Sequence, residues 1–103
     1  MVDAMTLRPM KRVEIVVDTL HLSRAIDRLR QAGCDGYTVF PNVAGYGDRG
    51  DQHADEVSGV STNAYILIAA PADQAEAVLD AIRPMLQSYG GVCLVSDCQW
   101  LEH

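Results

Sequence analysis

Gly45-Tyr46-Gly47 follows directly on an apolar, β-branched stretch, Tyr37-Thr38-Val39-Phe40-Pro41-Asn42-Val43, and opens a long polar segment, Asp48 to Thr62. Glycine amides let a backbone approach a ligand closely and aim successive N–H groups at an anion. The same spacing also suits a hinged hairpin, with Arg49 paired to Asp48 or Asp51 and Thr38 serving only as a strand residue. A connection of about 12–15 residues without its own secondary structure is uncommon in a small domain and is usually functional or disordered.

Other chemistry-bearing residues assemble no reactive set. Ser58 and Ser61 have no positioned histidine, Asp55-Glu56 reads as a solvated pair, and no Gly-x-Ser-x-Gly or phosphate-loop motif occurs. His21, His53 and the cysteines Cys34, Cys93 and Cys98 match no metal-ligand spacing, and Cys93 and Cys98 fall on opposite faces of one strand. The expectation is a binding protein with no catalytic residues, no metal site and no cofactor.

The elements that position these residues come in two similar halves. Val13, Ile15 and Val17 alternate with Glu14 and Val16 as in a strand, and Leu22, Ala25, Ile26 and Leu29 recur at helical spacing. Gly33 stands where a helix C-cap glycine belongs, ahead of the second strand, Tyr37 to Val43. After the loop, Ala64 to Ala70 is a strand-length apolar run, and Asp73 with Glu76 fits a capping box for a helix facing inward through Ala75, Val78, Leu79 and Ile82. Pro84 should kink that helix or end its regular part. Tyr89-Gly90-Gly91 breaks the chain before a fourth strand, Val92 to Ser96.

The order βαβ, loop, βαβ predicts an α+β fold: a ferredoxin-like βαββαβ sandwich with a long loop between strands 2 and 3. Residues 1–10 read as an N-terminal extension, 11–100 as one domain, and 101–103 (Leu-Glu-His) as the remnant of an expression tag. Strands 1 and 3 are apolar on both faces, so the sheet face away from the helices should pack against further copies of the chain. A net charge of −6 with dispersed basic residues excludes a nucleic-acid footprint. The longest apolar run, Ala64 to Pro71, is far below the roughly 20 residues of a membrane helix. With no apolar leader at Met1 to Pro9 and unpaired cysteines, a cytoplasmic location is expected.

These residues resemble the PII and PII-like signalling family over nearly the whole domain, from Lys11 to about Asp97. Lys11-Arg12-Val13-Glu14-Ile15-Val16-Val17 is similar to that family's first strand, Gly33-x-x-Gly36-x-Thr38-Val39 to its helix-to-strand junction, and Gly45-Tyr46-Gly47 to the Gly-Phe-Gly at the base of its T-loop. The resemblance implies a homotrimer that binds adenine nucleotides in clefts between subunits. It assigns Gly36, Tyr37 and Thr38 to the adenine, Gly45 and Gly47 to ribose and phosphate, Val16, Gly90 and Gly91 to the rest of the cleft, and Arg49 to the phosphate. Asp48 to Thr62 would be the T-loop that meets a target protein.

The departures from the family pattern narrow the ligand. Tyr89-Gly90-Gly91-Val92 has no lysine, and the strand end Cys98-Gln99-Trp100 has no arginine. Each missing cation removes a charge-assisted hydrogen bond of about 1.5–3 kcal/mol that a γ-phosphate would need. AMP, ADP or a cyclic mononucleotide therefore fits better than ATP. The pattern resembles PII-like proteins of carboxysomes and inorganic-carbon uptake, which implies bicarbonate as a second ligand at Gly45, Tyr46, Gly47 and Arg49. It also implies a target such as a bicarbonate transporter or a carbon-fixation component. An ACT-type amino-acid module and a trimeric metal-tolerance protein share the predicted fold and are the alternatives.

Overall fold

In the computed structural model, which describes residues 6–47, 50–52 and 62–103, strand β1 spans Leu7–Asp18. Its alternation sorts the two sides of the sheet: Val13, Ile15 and Val17 are buried beneath the helices, while Glu14 and Val16 lie half-buried on the opposite face. One turn of 3-10 helix, Thr19–His21, then leads into helix α1, Leu22–Gln31. Strand β2, Thr38–Val43, comes next. Two short strands, β3 (Gly45–Gly47) and β4 (Gly50–Gln52), precede β5, Asn63–Ala70. Helix α2, Ala72–Tyr89, and β6, Val92–Leu101, complete the chain.

The main sheet has the order β2-β5-β1-β6, with every neighbouring pair antiparallel. Each βαβ half therefore straddles a strand of the other half. The ferredoxin-like α+β sandwich follows the sequence expectation. The buried side chains of β1 and β5, including Ile66 and Ile68, meet Ala25 and Leu29 of α1 and Val78, Ile82 and Met85 of α2 in one core.

The C-terminus of α1 shows why Gly33 is needed. Its φ of 85° lets the Gly33 amide donate to Arg30 O at 3.0 Å and the Cys34 amide to Leu29 O at 2.9 Å. Those two bonds make a Schellman closure, which buries Cys34 beside Leu29.

Four local expectations are corrected. The capping box at Asp73 does not form, because the N-cap is Pro71, two residues earlier; Pro71 O accepts the Ala75 amide, and Asp73 Oδ1 accepts from Gln74 N. Helix α2 does not stop at Pro84, which faces solvent, where the carbonyl one turn back is free to be hydrated. Strand β6 runs past Ser96 to Leu101 because β1 begins at Leu7, before Lys11, and pairs with it residue by residue from Leu7↔Leu101 to Val16↔Val92. The pairing continues in the Glu102 amide, which donates to Thr6 O at 2.7 Å. Finally, Gly45-Tyr46-Gly47, whose two glycines predict a turn, is a short strand paired with Gly50–Gln52.

The chain enters that ribbon through a register shift between Phe40 and Val43, where Asn42 takes a φ of 59°. Asparagine is among the non-glycine residues that best tolerate this left-handed region.

The sheet face away from the helices is ordered in rows. One runs Phe40, Tyr65, Val16, Val92; the next runs Thr38, Leu67, Glu14, Leu94. Phe40 is 48% exposed and Leu94 57%, so among the described residues nothing covers this face. A polar strip crosses it: Tyr65 Oη donates to Glu14 Oε2 at 2.7 Å, Arg12 Nε lies 3.4 Å from Glu14 Oε1, and Arg12 Nε donates to Ser96 Oγ at 3.1 Å. Donating its hydrogen bond to the Glu14 carboxylate holds the Tyr65 phenol above its ordinary value, since ionising Tyr65 would lose that bond.

A folded-state value raised above the unfolded one, about 10, adds stability that is fully present below that pH and is lost as pH rises through the folded value. Tyr65→Phe should therefore be less stable than the parent at pH 8. In urea denaturation the difference should vanish as the pH passes through 10 and above; a pH-independent difference would show that the hydrogen bond is not its source.

Candidate functional site

The sequence-predicted residues fall into three groups. Gly36, Tyr37 and Thr38 lie at the start of β2, one edge of the sheet. The segment is held from behind. Cys34 Sγ donates to Gly36 O at 3.5 Å, Arg30 Nη2 to Tyr37 Oη at 3.4 Å, and Gln74 Nε2 of α2 to Gly33 O at 2.7 Å. Arg30, Gly33, Cys34, Asp35 and Tyr37 line a shallow open depression here.

Thr38 is exposed, and a Cβ added at Gly36 would meet nothing within 4 Å. No contact inside the chain therefore requires glycine at 36. Burial, reinforced by the neighbouring Asp35, pushes the Cys34 thiol upward against the opposing effect of its bond to Gly36 O. It stays protonated at neutral pH, which is the state of an inert packing residue rather than a nucleophile.

Gly90 and Gly91 lie near the other sheet edge, between α2 and β6, with φ values of 80° and 122°. The Gly90 amide donates to Leu86 O at 2.7 Å and closes the helix. Gly91 is locked by space as well as by conformation: an added Cβ would sit 2.6 Å from Val16 O and 3.0 Å from Leu86 Cδ2. Val16, Gly90 and Gly91 thus come together in one chain.

Gly45, Tyr46 and Gly47 form β3, the third group. A Cβ at Gly45 would likewise meet open space. Arg49 lies outside the described residues, so its expected phosphate and bicarbonate roles have no geometry here. Most of the loop from Asp48 to Thr62 lies outside them too.

The edge positions separate the groups. Strands β5 and β1 stand between β2 and β6, which puts the Gly36–Thr38 edge about 14 Å from the Gly90–Gly91 edge at about 4.8 Å per strand. Within one chain the two glycine segments therefore lie at opposite edges of the sheet.

Residues missed by the sequence reading cluster behind Gly90. The His21 and Tyr89 rings stack with centroids 4.2 Å apart and an interplanar angle of 22°, and the Arg24 guanidinium sits 5.0 Å from the Tyr89 centroid. An aromatic residue directly before Gly-Gly, and a histidine at a strand-to-helix junction, were the only hints of it in the sequence. Among the described residues no group of His, Cys, Asp and Glu is placed to hold a metal ion. No described helix is long and apolar enough to cross a membrane. Trp100 pairs across the strands with Arg8 and packs its ring 6.3 Å from His103.

A ferredoxin-like sandwich with a long connection after strand 2 is the architecture of PII-type regulators. The chain belongs to the P-II family: the model for nitrogen regulatory protein P-II matches residues 10–102. Proteins of this family are regulatory signalling proteins. Nothing among the curated proteins matches the chain.

Among solved structures, the chain is similar to CPII, a nitrogen regulatory PII-like protein from Thiomonas intermedia, solved bound to ADP, AMP and bicarbonate. The two share 29% identity and a TM-score of 0.85 over 96% of this chain and 94% of that one. A structure of CPII bound to ADP and bicarbonate matches with 29% identity and a TM-score of 0.81, covering 96% and 95%. A PII-like signalling protein from Thermus thermophilus shares the fold at 24% identity, with a TM-score of 0.75 and 94% of each chain covered.

Gly91→Ala should cost about 1–3 kcal/mol, the price of a non-glycine side chain in a strained backbone region, with relief available only by moving Gly91 off Val16. Gly36→Ala and Gly45→Ala should leave stability nearly unchanged. Urea midpoints of the three variants test this; equal losses at all three positions would contradict the packing seen at Gly91.

Proposed function

We propose that this protein is a non-enzymatic sensor of AMP or ADP, with bicarbonate as a second ligand, that works as a homotrimer in the cytoplasm. The observation that carries the reading is the placement of Gly36–Thr38 and Gly90–Gly91 on opposite edges of one sheet. One chain cannot close a ligand between them, whereas the β2 edge of one copy set beside the β6 edge of the next can. The uncovered apolar face with Phe40, Val92 and Leu94 favours such an assembly.

In this cleft Gly36, Tyr37 and Thr38 hold the adenine of the nucleotide. Gly45 and Gly47 lie along the ribose and phosphate, and Val16, Gly90 and Gly91 form the opposite wall. Arg49 supplies the phosphate cation, and bicarbonate binds among Gly45, Tyr46, Gly47 and Arg49. The CPII structures with ADP, AMP and bicarbonate support this ligand set. The absence of lysine at 90–92 and of arginine at 98–100 supports a short phosphate chain. Signalling would pass through the segment Asp48–Thr62 to a target in inorganic-carbon metabolism, such as a bicarbonate transporter or a carbon-fixation component.

Calorimetry and thermal unfolding with AMP, ADP and ATP, each with and without bicarbonate, test the reading. A ligand at 100 times its Kd stabilises the native state by about 2.7 kcal/mol, which is readily seen as a rise in Tm. AMP or ADP should bind more tightly than ATP, bicarbonate should strengthen the binding, and Thr38→Ala and Gly47→Ala should each weaken it. Sedimentation should give three times the chain mass. No response to any nucleotide, or a monomer throughout, would overturn the shared cleft.

A further inference from the structure

The 3-10 turn Thr19–His21 touches both Tyr89, which leads into the glycine turn at 90–91, and the residue at which the described chain resumes after the loop. The Thr19 amide donates to Thr62 O at 2.9 Å, and the hydroxyls of Thr19 and Thr62 lie 2.9 Å apart. Thr62 is 6% exposed, the one buried polar residue in the described core, while Thr19 is exposed, so the double contact ties a buried residue to the surface turn.

Two residues on, His21 stacks on Tyr89, whose other polar neighbour is the Arg24 guanidinium. Tyr89 is the last residue of α2 and is bonded to Gly90, which leads into the Gly91 backbone pressed on Val16 O. The start of the turn is fixed as well, since Asp18 Oδ1 accepts the Leu20 amide at 2.9 Å. The contacts run without a gap from Thr62 through Thr19 and His21 to Tyr89 and Gly90–Gly91.

We propose that the Thr19–His21 turn couples the Gly90–Gly91 wall of the nucleotide cleft to Thr62, with His21 and Thr19 as its positioning residues. The proposal rests on the nucleotide reading above and adds a route to it. A ligand that settles Gly90 and Gly91 restricts Tyr89, the stack restricts His21, and the turn, too short to absorb the change, holds Thr19 against Thr62. By thermodynamic reciprocity, loosening the Thr19–Thr62 contact must weaken the ligand by the same factor. Neither His21 nor Thr19 need touch the nucleotide.

Hydrogen exchange of the Thr19 amide reads the contact directly, because its acceptor is Thr62 O. Saturation with ADP, and with AMP in a parallel sample, should slow that amide by about fivefold or more, the lower range of measured couplings. In His21→Ala the nucleotide should still bind but the slowing should disappear. His21→Phe, which keeps a ring on Tyr89, should restore it, as a loss of general stability would not. Thr19→Val, which removes only the hydroxyl pair, should weaken ADP or AMP while leaving Tm within a few degrees.

Nucleotide binding with an unresponsive Thr19 amide, or equal slowing in the parent and His21→Ala, would overturn this coupling alone. Failure of the parent to bind either nucleotide would overturn the cleft and the coupling together.

Discussion

Strand β1 has a hydrogen-bonded partner on each side, β5 from Lys11 to Asp18 and β6 from Leu7 to Val16, and the rest of the molecule is arranged around that double pairing. With both edges satisfied, β1 cannot slip by one residue without turning Val13, Ile15 and Val17 out of the core and Glu14 into it. Its register therefore fixes which face the helices cover. It also fixes Val16 O, against which Gly91 is packed, and the exit at Asp18 from which the Thr19–His21 turn departs.

The same pairing separates the glycine segments. Because β1 and β5 occupy the centre, β2 and β6 are driven to opposite edges, each carrying one glycine segment at its start. The two segments differ physically. Gly91 is required by the fold itself, through a backbone oxygen that leaves no room for a Cβ. Gly36 and Gly45 face open space and have no such internal reason. A glycine that neither conformation nor neighbouring atoms demand is better explained by something that approaches from outside the chain.

The elements were legible where apolar periodicity was clean: β1, α1 and β5 each alternate or recur without interruption, and Gly33 marked the end of α1. Legibility failed where a second chain segment decided the outcome. Lys11-Asp97 and the polar residues of β6 gave no apolar run beyond Ser96, yet pairing with Leu7–Met10 extends that strand to Leu101. Pro71 displaced the start of α2 from Asp73, a local choice between two acceptable caps. The glycine segments were visible as motifs, but the Tyr89 stack joins residues from α2 to the 3-10 turn and α1, and no spacing rule connects them.

Charge sets a final constraint on what such a cleft accepts. A chain of net charge −6 repels an anion at long range, but at physiological salt that repulsion is screened beyond about 8 Å. Recognition is then left to groups within that distance. On the Gly90–Gly91 side the Gly90 amide is already given to Leu86 O, and Arg24 is held over Tyr89 behind the turn. On the proposed reading, with Arg49 as the phosphate cation and Arg24 withdrawn behind Tyr89, one or two phosphates would be met better than three, since each added phosphate brings charge without a further cation. On the proposed nucleotide reading, an acidic protein would select a short phosphate chain by omission: no lysine stands at 90–92 and no arginine at 98–100 to meet a third phosphate.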